Sequence, residues 1–451
     1  MVLLAMCLGN GLSMFNSTLV NVLLPDIATE LDVSATGLQW VATAYTLCYA
    51  AMLLPGGALG NRIGRRQAFL LGVAIFVVGS LGCVVAPSFA VLLAGRVVQA
   101  LGCAILLPQT LSIVVNEFAD EGARARAVGI WAGVSSLGLA AGPVVGGLLL
   151  GFIDWRWGFG ISVALAIVGW LIAFLAVPHS RHGRVPGAPA IDVPGALLSV
   201  IALLALVFGL IESANLGWTS PVILIALVVA VLAIGGFLWL EHALGVRGRH
   251  PIMPLGIWRS ARLVAANVAG VAYFVLFYGV LYFLSLALRH EGLSPLLTGV
   301  AFLPMLLVQA VLGTVSGRLV ARLGPLPVLL GGMALGTVGM VLLALLPSPL
   351  SLLDLGWRMA VIGAGCGFMS SPMSNLAVSS VAWIHSNTAS AVHVMCRQIG
   401  ATLGVAVLGL IPGAAEFGPG FAWAMGVIAI VLAAAGIAVR VLTWRRGARS
   451  V

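Results

Sequence analysis

Residues 38–86 read LQWVATAYTLCYAAMLLPGGALGNRIGRRQAFLLGVAIFVVGSLGCVVA. Two apolar runs, 38–59 and 67–86, flank a short turn that holds Arg62, Arg65 and Arg66. Each run matches the length of about 20 residues that a helix needs to cross the hydrocarbon core of a bilayer. Arginines in a short connection mark the cytoplasmic side of a membrane. The stretch therefore reads as two membrane-crossing helices joined on the cytoplasmic face.

The rest of the chain repeats this pattern. Of 451 residues, 61% are apolar and only 8% are charged, against roughly 25% charged in a soluble domain. So few charges cannot cover a water-facing surface, which excludes soluble enzymes, secreted disulfide scaffolds and disordered tails. Every one of the 22 basic residues is arginine. They stand singly or in pairs between apolar runs, so the net charge of +9 does not point to nucleic acid. The six cysteines lie inside apolar segments and read as small packing residues, with no metal or disulfide spacing. No basic stretch precedes the first apolar run, which is expected to remain as a helix.

Fourteen runs are long enough to span: 2–24, 38–59, 67–86, 89–113, 126–151, 158–177, 193–213, 220–241, 262–288, 296–317, 326–346, 351–376, 388–411 and 420–442. Backbone groups in lipid must be satisfied within the segment, so these are helices, and the alternation of a barrel strand is absent. With the N-terminus in the cytoplasm, seventeen arginines fall on the inner side and three (Arg156, Arg289, Arg358) on the outer side, while Arg96 and Arg397 lie inside helices. Both termini are thus expected in the cytoplasm of a cell membrane. GALGNRIGRR (57–66) returns as GRLVARLGP (317–325) after the tenth run. A plain duplication of six helices would place the two turns about 200 residues apart; the further 60 or so leave room for two inserted helices. The expected layout is six helices (1–178), an inserted pair with its linkers (179–259) and six more (260–451).

Several short strings resemble one family. FNSTLVNVLLP (15–25) is similar to Asp-x-Thr-x-Val-Asn-x-x-Leu-Pro, and GALGNRIGRR to Gly-x-Leu-Ala-Asp-Arg-x-Gly-Arg-Arg. RVVQALG (96–102) is similar to Arg-x-x-Gln-Gly; GLAAGPVVGG (138–147) has the form of an antiporter signature; DVPGALL (192–198) and RQIGATLGVA (397–406) complete the set. In this order, the strings resemble the major facilitator superfamily and, within it, the fourteen-helix drug:proton antiporters. The resemblance implies an all-α polytopic membrane protein with two six-helix bundles and two inserted helices. It further implies a multidrug or antibiotic efflux transporter working by alternating access, with the proton as a candidate coupling partner.

Each motif has a physical reading. Gly138, Gly142, Gly146 and Gly147 remove side chains so that helices can approach, and Pro143 interrupts the ladder. The resemblance adds that this kink seals one face against leak. Gly57, Asn61, Arg62, Gly64, Arg65 and Arg66 form a candidate cytoplasmic latch that holds lipid phosphates or helix C-termini, or simply sets topology. Asn61 replaces the acidic residue of the family pattern, and Ala321 stands at the corresponding place in the second half, so an ion-pair latch is not available there. Arg96, with Gln99, is a hydrogen-bond hub or a cavity charge; Arg397 and His393 pose the same choice in the thirteenth run, where His393 is a coupling or a packing group.

The five tyrosines lie in two runs, Tyr45 and Tyr49 in the second and Tyr273, Tyr278 and Tyr282 in the ninth. Phe274, Tyr278 and Tyr282 share a helical face, for packing or for cargo. Ser371 and Asn375 belong to a polar patch around Pro372. Placed on this topology, all thirteen acidic residues fall near helix ends. Asn16 stands where the family carries a helix-1 carboxylate, and with Thr18 and Asn21 it is a candidate cargo contact. Membrane carboxylates attract cations, so their absence favours neutral or anionic amphipathic cargo.

The function expected is export of hydrophobic small molecules. Uptake of a metabolite by facilitated diffusion or proton symport is the alternative, and a transport-dead membrane sensor is a third. No catalytic site, cofactor or metal is expected; the partners are a small-molecule cargo, membrane lipid and protons, in a monomer.

Overall fold

The computed structural model describes residues 1–118, 120–178, 192–247, 253, 255–347, 350–381 and 386–447, with the backbone alone at some helical positions. Helices dominate, and among the described residues there is no strand. They are α1 (Val2–Leu31), α2 (Ala35–Ile63), α3 (Arg65–Val84), α4 (Phe89–Glu117), α5 (Glu121–Leu150), α6 (Arg156–Ala176), α7 (Val193–Leu216) and α8 (Pro221–Val246). After a short 3₁₀ turn at Leu255–Arg259 come α9 (Ala261–His290), α10 (Pro295–Ala301), α11 (Leu303–Leu323), α12 (Pro325–Ala344), α13 (Leu352–Ser379), α14 (Ser386–Leu408) and α15 (Pro419–Gly447). With α10 and α11 taken as one span, thirteen described segments are long and apolar enough to cross a membrane, and α2 is a further helix of 29 residues.

Two compact units result, Met1–Pro254 and Leu255–Val451. In the first, α1 packs on α5 and α6, α3 on α4 and α6, and α2 on α4. The second repeats this scheme helix for helix: α9 packs on α14 and α15, α12 on α13 and α15, and α11 on α13. The inserted α7 and α8 pack on each other, and α7 leans on α2 within the first unit. The linker 179–191 lies outside the described residues.

The repeated arginine turn has one backbone solution in both halves. Gly64 ends α2 at φ +94° and Gly324 ends α11 at φ +80°, and the next helix begins at the following residue. That left-handed conformation is strained for any residue with a Cβ, so the glycine is what lets the chain reverse without a loop. Some helix starts carry a side-chain cap: Ser34 accepts from the Gly37 amide at 3.2 Å and Asp192 from the Gly195 amide at 2.9 Å.

Lipid tails are as apolar as leucine, so the helices are held by close approach and by interhelical hydrogen bonds. Glycines make that approach possible. A Cβ on Gly102 would lie 2.6 Å from the Gly72 carbonyl oxygen, and one on Gly365 would lie 2.6 Å from the Gly336 Cα. These are the α3–α4 and α12–α13 crossings, again matched between the units.

Some boundaries differ from the hydropathy reading. The first helix does not stop at Pro25 but runs on to Leu31, so Asp26 and Glu30 are helical. Glu30 accepts from Trp155 Nε1 at 2.7 Å and pairs with Arg156 at 2.6 Å, which ties the end of α1 to the start of α6. The tenth run is broken at Phe302 into α10 and α11, just ahead of Pro304. Arg358 lies in the second turn of α13, where it bonds Asp354 at 3.1 Å and the Leu342 carbonyl.

Candidate functional site

The polar residues of α1 from Asn10 to Asn21 are buried, and they organise the first unit. Arg96 of α4 has no solvent exposure. A charge so placed is costly unless hydrogen bonds and dipoles replace water. Here Nη1 donates to Asn16 Oδ1 at 2.5 Å and to Gln99 Oε1 at 3.1 Å, and Nε donates to the Val41 carbonyl at 3.4 Å. The guanidinium also lies over the Tyr45 ring at 4.6 Å and near Phe159 at 5.9 Å, which adds cation–π attraction. The outer ends of both amides are held in turn: Asn16 Nδ2 donates to Ser162 Oγ at 3.2 Å, and Gln99 Nε2 to Ser80 Oγ at 2.8 Å. Five helices, α1, α2, α3, α4 and α6, thus contribute to one buried cluster around a single cation. Tyr49 stacks beside Tyr45, ring centres 6.2 Å apart, and the Tyr45 hydroxyl donates to the Ser13 carbonyl at 3.3 Å.

Further along α1 the chain meets α5. Gly138, Gly142 and Gly146 lie one turn apart on the face turned to α1. A Cβ on Gly138 would meet the Gly11 carbonyl oxygen at 2.3 Å, and one on Gly142 would meet Thr18 Oγ1 at 2.1 Å. Pro143 has no amide hydrogen, so it cannot fill the carbonyl four residues back, Leu139. Thr18 Oγ1 donates to that carbonyl at 3.0 Å. The same α1 hydroxyl therefore packs against the glycine and serves the carbonyl that the proline leaves open. Asn21, one turn on, bonds the carbonyls of Ser17 and Thr18 in its own helix. Gly147 is buried on α5.

The turn after α2 reaches helix ends. Arg65 Nη1 donates to the Ser112 carbonyl in the last turns of α4 at 3.2 Å, and Arg66 Nη2 to the Phe174 carbonyl in the last turn of α6 at 2.6 Å. Both carbonyls belong to the negative ends of helix dipoles. Arg62 is exposed and Gly57 faces Pro108 of α4. The Asn61 side chain lies outside the described residues.

The second unit holds its own polar group, on α9 and α14. His393 Nδ1 is 3.1 Å from Asn267 Oδ1, and Arg397 lies over the Phe274 ring at 4.4 Å. Gly270 is what lets α14 lie this close: a Cβ there would stand 2.9 Å from His393 Cε1 and 3.1 Å from Arg397 Cγ. Phe274 stacks on Tyr278 at 5.5 Å, and Tyr282 sits a turn further on against Phe283. Ser371 faces Gly317 of α11, and Asn375 is exposed on α13. Among the described residues no three of His, Cys, Asp and Glu are placed to hold a metal ion.

The Major Facilitator Superfamily profile matches residues 6–201 and 193–405. The chain belongs to this superfamily. It is 34% identical over 439 residues to the methylenomycin A resistance protein of Bacillus subtilis, a match covering 96% of this chain and 92% of that one. It is 33% identical over 413 residues to the multidrug resistance protein Stp of Mycobacterium tuberculosis, covering 91% and 75%. It is 32% identical over 410 residues to the tetracenomycin C resistance and export protein of Streptomyces glaucescens, covering 91% and 75%. An auto-inhibited POT family peptide transporter has the same fold, with a TM-score of 0.70 over 98% of this chain and 97% of that one at 19% identity. The drug-efflux branch that the motifs resemble is the branch to which these named resistance proteins point.

The cluster residues of this superfamily member that the motifs do not mark are Ser80, Ser162, Asn267 and the Val41 carbonyl. Asn267 was findable, since it shares a helical face with Gly270 and Phe274 at spacings of three and four. Ser80 and Ser162 are single hydroxyls in apolar runs and carry no signal of their own.

Proposed function

We propose that this chain is a secondary active exporter of hydrophobic or amphipathic drug-like molecules, working by alternating access and linked to the proton gradient. It sits in the cell membrane as a monomer with both termini in the cytoplasm. The observation that carries this reading is similarity along nine-tenths or more of the chain to proteins named for drug resistance and export. The α1–α5 seam agrees with it. A kinked helix that stays locked to its neighbour through Thr18 can move as one body with α1 and leave no leak path between them.

In this reading Asn16, Gln99 and the rings of Tyr45, Tyr49, Phe274, Tyr278 and Tyr282 contact cargo, with Ser371 and Asn375 adding polar contacts. Arg96 and Arg397 are fixed positive charges, and no carboxylate stands at a helix centre to offset a cationic cargo. Neutral and anionic aromatic compounds are therefore favoured over permanent dications.

The test is transport by purified protein in proteoliposomes with an imposed pH gradient, using aromatic compounds matched in size and differing in charge. Gradient-driven accumulation of the neutral and anionic members is the expected result. Equilibration without accumulation, in either direction, would replace the exporter by a facilitator. A clear preference for dications would overturn the charge assignment.

A further inference from the structure

The hydrogen bond between His393 and Asn267 leaves both groups half used. Both residues are 3% exposed. Asn267 Nδ2 and His393 Nε2 are buried with no hydrogen-bond partner among the described residues. With the amide oxygen toward the ring, Asn267 Oδ1 accepts from His393 Nδ1; the open positions are then a donor, Nδ2, and an acceptor, Nε2. If the amide is turned, Nδ2 donates to Nδ1, and the open positions become an acceptor, Oδ1, and a donor, Nε2–H. Either arrangement of the neutral ring leaves one donor and one acceptor unfilled. That invariance comes from the pair and not from a choice of tautomer. A buried polar atom without a partner destabilises the fold, so two of them on one hydrogen-bonded pair need an explanation.

The surroundings restrict what can fill them. Arg397, one turn after His393, brings a fixed positive charge and lies over Phe274, which also meets the rings of Tyr273 and Tyr278. A cationic group is repelled there, and the faces of these aromatic rings are the surfaces on which a flat cargo stacks once the pair is opened. We infer that Asn267 and His393 form the polar end of a cargo subsite in the second unit. It takes a neutral, planar molecule carrying an adjacent donor and acceptor, such as a carboxamide or a hydroxy-ketone. The inference rests on the exporter reading, because alternation of access is what brings cargo to a pair closed off in this conformation.

Binding separates the two ideas, since it needs no gradient. Purified protein in detergent is titrated with 1-naphthamide, 1-acetonaphthone, 1-methylnaphthalene and 1-naphthylmethylammonium, which share one ring system. The expected order is amide, then ketone, then hydrocarbon, with the ammonium weakest. Amide should exceed hydrocarbon by about tenfold, the equivalent of one net hydrogen bond. Asn267→Leu and His393→Leu should each bring the amide down to the hydrocarbon while leaving hydrocarbon binding in place. The retained hydrocarbon binding shows that each variant is folded. Should both variants fail to fold, the ranking of the four probes by the wild type still decides. Equal affinities in the wild type, tightest binding of the ammonium, or an amide preference that survives both substitutions would each overturn the subsite. Amide-selective binding without accumulation in proteoliposomes would leave the subsite standing and remove the exporter.

Discussion

Arg96 is fully buried, and its shortest hydrogen bond is to Asn16, a neutral acceptor. An amide holds the guanidinium in place at every pH, because it does not titrate. Asn16→Asp puts a carboxylate 2.5 Å from Nη1 in the same geometry and makes the contact a charge-assisted pair. That pair breaks when the carboxylate takes a proton. The variant is expected to show steeper pH dependence of transport than the wild type and a shift of preference toward cationic cargo. Asn16→Ala should lower cargo affinity without abolishing a pH response. Proteoliposome transport at several pH values, with and without an imposed gradient, reads both. Strong proton-driven export that vanishes in Asn16→Ala would make Asn16 essential to coupling and refute its role as a cargo contact. The sequence marks Asn16, Arg96 and Gln99, since polar residues in apolar runs stand out. It does not show that they meet, because Val41, Ser80 and Ser162 come from three other helices and no spacing along one helix announces them.

Helix α5 shows how much of an element is legible and where legibility stops. The glycine spacing and Pro143 announce a tight, kinked crossing. The partner and the reason the kink is tolerated come only from α1, where Thr18 supplies the hydrogen that Pro143 lacks. A double-mutant cycle tests this. Thr18→Val removes the hydroxyl at nearly constant volume and should cost about 1 kcal/mol of stability. In a Pro143→Ala background the restored amide can bond Leu139, so the same change should cost little. Denaturant or thermal unfolding of the four proteins gives the coupling energy, and additive effects would show that Thr18 does not serve that carbonyl. Glycines of the same helix provide a contrast. Gly142→Ala drives a Cβ into Thr18 Oγ1 and the Leu19 amide nitrogen, at 2.1 and 2.7 Å, so loss of folded protein or of transport is expected. Gly133 has nothing within 4 Å of a Cβ, and Gly133→Ala should behave as wild type.

At the scale of the chain, the count and type of helices were readable because each run needed only length and hydrophobicity. The six-two-six reading rests on one turn that occurs twice, and the structure gives both copies of that turn a positive-φ glycine, Gly64 and Gly324. Pro25 misled, since a proline inside a packed membrane helix need not end it. The orientation proposed from the arginines makes a prediction that parity alone decides. With the N-terminus inside, the connections holding Ser88 and Thr219 face out, and the connection holding Arg247 and the end of α13 at Ser379 face in. All four positions are exposed. Thr219 lies between α7 and α8, so it reports whether the inserted pair crosses the membrane as two helices. Single cysteines at these positions, on a background lacking the six native cysteines, are treated in intact cells with a membrane-impermeant maleimide. Ser88→Cys and Thr219→Cys should be labelled; Arg247→Cys and Ser379→Cys should react only after the membrane is opened. Labelling of Arg247→Cys from outside, with Ser88→Cys also labelled, would mean that an odd number of crossings separates the first unit's start from the insert's end. The fourteen-helix topology, and with it the cytoplasmic C-terminus, would then fall.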